Sequence, residues 1–197
     1  HLVCGLGRSY GLPSRVLGRE LASIQAAGLW RALEGAPRVP SFAFVADVGN
    51  DLAYGAAPER VAAWVEEALE RLRALDCRTA VIGLPLEALR AMGPLRFTLL
   101  RSLYFPGRPL RRAALVAAAE ELEARLERCA RSRALAYVPA RGSWFGLDAI
   151  HLRPLRAEAA LRAWLEGLAL EPRGERPTAA QRRSVGRARP ARSRRLG

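Results

Sequence analysis

His151 is the only histidine in the 197-residue chain apart from residue 1. Imidazole is the side chain best suited to take up and return a proton near neutral pH, so base chemistry of that kind falls to His151. Asp148 lies three residues earlier, within Trp144-Phe145-Gly146-Leu147-Asp148-Ala149-Ile150-His151-Leu152. On a turn, or in the first turn of a helix, this spacing lets carboxylate and ring point the same way. A carboxylate so placed fixes the ring tautomer and stabilises the imidazolium formed during proton transfer. The pattern also has a plain structural use, with Asp148 capping a turn or the helix after Pro154 and His151 packed as a satisfied side chain.

Two other stretches offer partners. Gly5-Leu6-Gly7-Arg8-Ser9-Tyr10-Gly11 holds three glycines in seven residues, which implies a tight turn with unusual backbone angles. It follows His1–Gly5, which reads as the end of a buried strand. A serine on such a turn is placed to be exposed, with free backbone N–H groups around it; the structural alternative is a turn or cap residue. The glycine spacing does not fit a dinucleotide-binding turn, because Gly11 falls one place late. Asn50, in Gly49-Asn50-Asp51-Leu52, follows the apolar, β-branched run Ser41–Val48, a predicted strand. It therefore stands beyond a strand's carboxyl end, the edge where open α/β sheets place ligands.

The elements that must position these groups alternate. Pro58 opens a helix whose Val61, Trp64, Val65, Ala68, Leu69, Leu72 and Leu75 share a core-facing stripe. Thr79–Leu84 reads as a third buried strand, and residues 86–105 as a mostly helical, apolar stretch that is either core or the wall of an acyl pocket or lid. A long helix is predicted over about 109–132, a last strand over 134–138, and a closing helix from Pro154 to about Leu168, buried through Leu161, Trp164 and Leu165. Such alternation predicts a three-layer α/β domain with a mostly parallel sheet and helices on both faces. The loops after its strands share one edge, so Ser9, Asn50 and the Asp148–His151 stretch can meet although far apart in sequence.

Composition sets further bounds. Half the residues are hydrophobic and the formal net charge is +13, every basic side chain among the 32 being arginine. Of that charge, +7 lies in residues 171–197, an Arg/Pro/Ala/Gly/Ser tail expected to be disordered beside a domain over 1–170. The tail would support at most non-specific contact with nucleic acid or acidic partners; it lacks the interleaved aromatic residues of stacking-based binders. Cys4, Cys77 and Cys129 are odd in number and widely spaced, which offers no metal site and suits a reduced, cytoplasmic chain. No apolar run approaches a membrane span. The chain begins at His1 rather than Met, so an exported form stays open.

Gly7-Arg8-Ser9, Gly49-Asn50-Asp51-Leu52 and Asp148-x-x-His151, in this order, resemble the blocks of the SGNH/GDSL hydrolase superfamily. The resemblance spans roughly the first 155 residues and implies a flavodoxin-like fold and a serine esterase or acyl-hydrolase acting on a small ester. It implies Ser9 as nucleophile, His151 as general base and Asp148 as the orienting acid. The oxyanion hole would comprise the Ser9 backbone N–H, a glycine N–H from a second block (Gly18, or Gly28) and the Asn50 side chain. No metal or cofactor is required. The chain departs from the family pattern at Arg8, which stands where the family has Asp and would make a contact for an anionic substrate group. It departs again at Val48, in place of the first glycine of the third block. A non-catalytic binding module that keeps the fold without hydrolysis is the alternative.

Overall fold

The structure is a computed structural model describing residues 7–16 and 19–169. The expected first strand over residues 1–5, Cys4, Gly18 and the arginine-rich tail lie outside the described residues. Within them, a short antiparallel hairpin, β1 (Ser14–Val16) with β2 (Arg19–Leu21), is followed by α1 (Leu29–Glu34) and then by an α/β body. Its sheet has three parallel strands in the order β3 (Ser41–Val45), β4 (Cys77–Ile82) and β5 (Ala136–Val138). Between them run α2 (Asn50–Ala53), α3 (Pro58–Ala74), α4 (Leu86–Arg90), α5 (Pro94–Tyr104) and α6 (Arg112–Ser132), and α7 (Ala157–Gly167) closes the chain.

The period-two alternation of strand side chains divides the core. Val45 and Val81 pack with Val61, Val65 and Leu69 of α3 and with Leu122 and Leu126 of α6. Ala80, Ile82 and Val138 point the other way, against Trp144, Phe145 and Ala160. The α3 stripe is as expected: Val61, Val65, Ala68, Leu69 and Leu72 are buried, with Pro58 in the first turn. Trp64 is half-buried and packs on the same cluster. Its indole fills the space a Cβ at Gly11 would occupy, so residue 11 has no room for a side chain.

Element boundaries move for local reasons. The strand expected over Ser41–Val48 stops at Val45, because Asp47 adopts φ 56, a left-handed conformation no strand continues through. The single helical stretch expected over 86–105 is two helices: Pro94 cannot sit inside a helix, and instead opens α5 behind Gly93. The last helix starts at Ala157, three residues after Pro154, and is buried through Ala160 rather than Leu161, which is 48% exposed. On α5, Phe97 is buried but Leu99 and Leu103 face solvent, so that helix is only half core. Among the described residues no helix is long and apolar enough to cross a membrane.

Candidate active site

Asp148 and His151 sit on a loop whose base is closed by an isolated bridge between Phe145 and Leu152. Gly146 N–H donates to the His151 carbonyl at 2.8 Å and Arg153 N–H to the Trp144 carbonyl at 2.8 Å. Trp144, Phe145 and Ala149 are buried, so the base is anchored while the tip projects. Within the loop the two oxygens of Asp148 divide the work. Oδ1 accepts the backbone N–H groups of Ile150 and His151, both at 3.0 Å. Oδ2 lies 2.7 Å from His151 Nδ1. One oxygen thus sets the turn and the other the ring. With Nδ1 protonated towards the carboxylate, Nε2 carries the lone pair and is able to accept a proton. The His151 side chain is 67% exposed and that of Asp148 15%.

The electrostatics suit this division. Burial raises the Asp148 pKa, but the backbone N–H and ring of His151, the N–H of Ile150 and the His151 charge outweigh it. The net effect holds the carboxyl below its ordinary value, so it is ionised as an orienting group must be. The Tyr104 hydroxyl approaches the same Oδ2 at 3.4 Å. Burial and the neighbouring Asp148 charge raise its pKa, which keeps it a phenol and a donor.

A cavity of about 310 Å³ opens beside this pair. Its apolar wall includes Leu84, Met92, Phe97, Leu100, Phe145 and Trp164, and its polar lining is Asp47, Asn50, Arg101, Tyr104, Asp148 and His151. An apolar pocket with a few convergent polar groups is the usual form of a small-molecule site.

Asn50 opens α2 just beyond β3, as its place in the sequence implies, and donates through Nδ2 to the Arg8 carbonyl at 3.1 Å. The first and middle stretches therefore touch, and the middle and last stretches share the cavity. Ser9 departs from expectation. It is fully buried, its Oγ has no hydrogen-bond partner among the described residues, and it does not line the cavity. The reason is Asp51, also fully buried, whose carboxylate accepts the backbone N–H groups of Tyr10, Gly11 at 3.2 Å and Leu12 at 2.9 Å. With the Ser9 carbonyl also taken by Ile24 N–H at 2.9 Å, the turn is drawn inward rather than presented. The Arg8 guanidinium donates to the Ala22 carbonyl. Gly28, the second choice for the oxyanion hole, caps the start of α1 and does not line the cavity.

Three residues of consequence carry no role in the sequence reading. Asp51 is one; the Asn-Asp pair drew attention to the amide, and the acid proves to be the structural half. Tyr104 is another. The third is Asp47, which lines the cavity from the end of β3. It has an exposed surface, yet crowding of its carboxylate raises the pKa by desolvation, against a smaller lowering by His151. Its backbone stands at φ 56, in the left-handed region that Asp adopts more readily than most residues. Its only sequence signal is an acid at the end of an apolar strand.

Comparison of the chain with protein-family models, with curated proteins and with solved structures returned no match in any of the three.

Proposed function

We propose that this chain is an acyl-ester hydrolase of flavodoxin-like, SGNH type, with His151 as general base, Asp148 as its orienting acid and the apolar cavity as the acyl site. The observation that carries the reading is the 2.7 Å contact between Asp148 and His151 Nδ1, which leaves Nε2 free beside the cavity. In this reading Ser9 Oγ attacks the ester carbonyl and passes its proton to His151 Nε2, which returns it to the departing alcohol. Water, deprotonated by the same nitrogen, then releases the acid. Asn50 and backbone N–H groups of the opening turn supply donors to the developing oxyanion. Ser9 must leave its sealed position for this to occur.

The burial of Ser9 favours a second reading, in which the same cavity binds an acyl group without turning it over. Hydrolysis of short-chain nitrophenyl esters, combined with fluorophosphonate labelling, decides between them. The hydrolase reading expects turnover abolished by His151→Ala and labelling lost in Ser9→Ala. Turnover that needs His151 but survives Ser9→Ala assigns the nucleophile to water held by the base. No turnover and no labelling in the wild type overturns hydrolysis and leaves the binding module.

A further inference from the structure

The helix that walls the cavity has a second face. Along α5, Phe97, Leu100 and Tyr104 turn inward, and Phe97 packs with Met92 and Ala149. Leu95, Leu99 and Leu103 recur every four residues, one above the other on the outer side. They are 88%, 69% and 67% exposed. The other residues exposed on this helix after Pro94 are Thr98 and Ser102, so the outward face carries no charge at all. A solvated helix face normally carries charged side chains, and a continuous aliphatic stripe there calls for an apolar partner.

The charge around the stripe selects that partner. From Arg90 to Arg112 the chain has six arginines and no acidic residue. Arg90 is neutralised by Glu120, and Arg112 donates to the carbonyls of Met92 and Arg90. Among the described residues Arg96, Arg101, Arg108 and Arg111 meet no carboxylate; Arg101, which also lines the cavity, donates to the Leu110 carbonyl, and Arg108 donates to the Tyr54 carbonyl and lies over the Tyr54 ring, so both keep their positive charge. A leucine stripe bordered by unneutralised arginines is the composition of an interfacial helix, with the leucines entering the acyl boundary and the arginines staying at the headgroups. It suits a negatively charged lipid surface better than a second copy of this chain, whose corresponding segment carries the same positive charge and would repel it.

We propose that α5 is a membrane-surface docking helix that lays Leu95, Leu99 and Leu103 on an anionic bilayer. Its inner face would then bring the cavity to the level of the lipid, so that acyl groups enter from the surface. The docking does not depend on hydrolysis, because the exposed stripe and the arginines without a carboxylate partner among the described residues stand whatever the chemistry of His151.

Co-sedimentation of the full chain with vesicles tests this, using phosphatidylcholine alone and phosphatidylcholine with phosphatidylglycerol at fixed moderate salt. The wild type is expected to favour the anionic vesicles. The variant Leu95→Ser/Leu99→Ser/Leu103→Ser is expected to lose roughly tenfold or more in partitioning, and Leu95→Met/Leu99→Met/Leu103→Met to retain it. Circular dichroism of each variant checks that the fold is kept. Equal binding by the wild type and the serine variant overturns the proposal, since adsorption would then rest on charge elsewhere, including residues 171–197. A wild type that ignores vesicles and self-associates, with a monomeric serine variant, also overturns it and assigns the stripe to a second copy.

Discussion

The Gly7–Leu12 turn and the Phe145–Leu152 loop are both turns bearing a residue with catalytic potential, but they are held in opposite ways. The later loop braces itself: Asp148 accepts two N–H groups from residues two and three places on, and its base closes on its own chain. Its tip can therefore project, and His151 stays exposed in a defined orientation. The opening turn is braced from a distance by Asp51, some forty residues away, whose carboxylate sits in the core. A turn organised by a buried acid is pulled towards that acid, and Ser9 goes in with it. A local brace leaves a side chain free for chemistry, whereas a remote buried brace tends to consume it.

Four substitutions break or sharpen this contrast, the first with the largest effect. Replacing Asp148 with Asn swaps the acceptor for a donor-bearing amide and lets the imidazole take the wrong tautomer. If the hydrolase reading holds, kcat falls by about 10⁴-fold with little change in the unfolding midpoint. Asp51→Ala, by contrast, acts on the fold. Three N–H groups lose a buried acceptor, and urea unfolding is expected to register a loss of roughly 3–5 kcal/mol. Gly11→Ala drives a methyl into the Trp64 indole, and overpacking of that kind costs about 1–3 kcal/mol in the same assay. Ser9→Ala removes a buried hydroxyl without a partner among the described residues, so stability is expected to hold or rise by about 1 kcal/mol, whatever happens to activity. A clear destabilisation would mean that the hydroxyl is satisfied after all, and would undo the contrast at its centre.

The smallest effect is in pH dependence, and the two cavity acids have opposite signs. Asp148 has a folded pKa below its ordinary 3.8, so it contributes stability above that value and loses it as pH falls through the lowered one. Asp47 has a folded pKa above 3.8, so the native state binds its proton more tightly. Its contribution is favourable at low pH and is lost as pH rises through the raised value. Unfolding followed between pH 3 and 7 is expected to show a shallower acid loss in Asp148→Asn. Asp47→Asn is expected to remove the opposing decline on the way to neutrality. Identical profiles for the two variants would contradict these signs.

Much of the body was legible because its signals are local. The stripe of α3 follows directly from the spacing of its apolar residues, and β3 and β4 from apolar runs bounded by turn residues. The Asp148–His151 contact was legible for the same reason, since three residues of separation and one tight turn decide it. The position of Ser9 was not. It is set by Asp51, and nothing in the seven residues around Ser9 indicates which remote acid will claim the neighbouring N–H groups. The end of β3 was misplaced because Asp47 adopts a conformation its residue type tolerates but does not announce. The outward leucines of α5 fit neither the core nor the wall of a pocket or lid, because hydrophobic type alone cannot tell a buried face from an unpartnered one.

The Asp51 clamp also orders events in time. Tyr10, Gly11 and Leu12 gain their acceptor only after β3 has formed and α2 has turned the acid inward, so the opening turn is expected to dock late in folding rather than nucleate it. Once docked, its amides are released together or not at all, because undocking the turn strips a buried carboxylate of three donors at once. In hydrogen-exchange measurements those three amides are expected to exchange as one unit, more slowly than the surface loops they resemble and before the strands of the sheet.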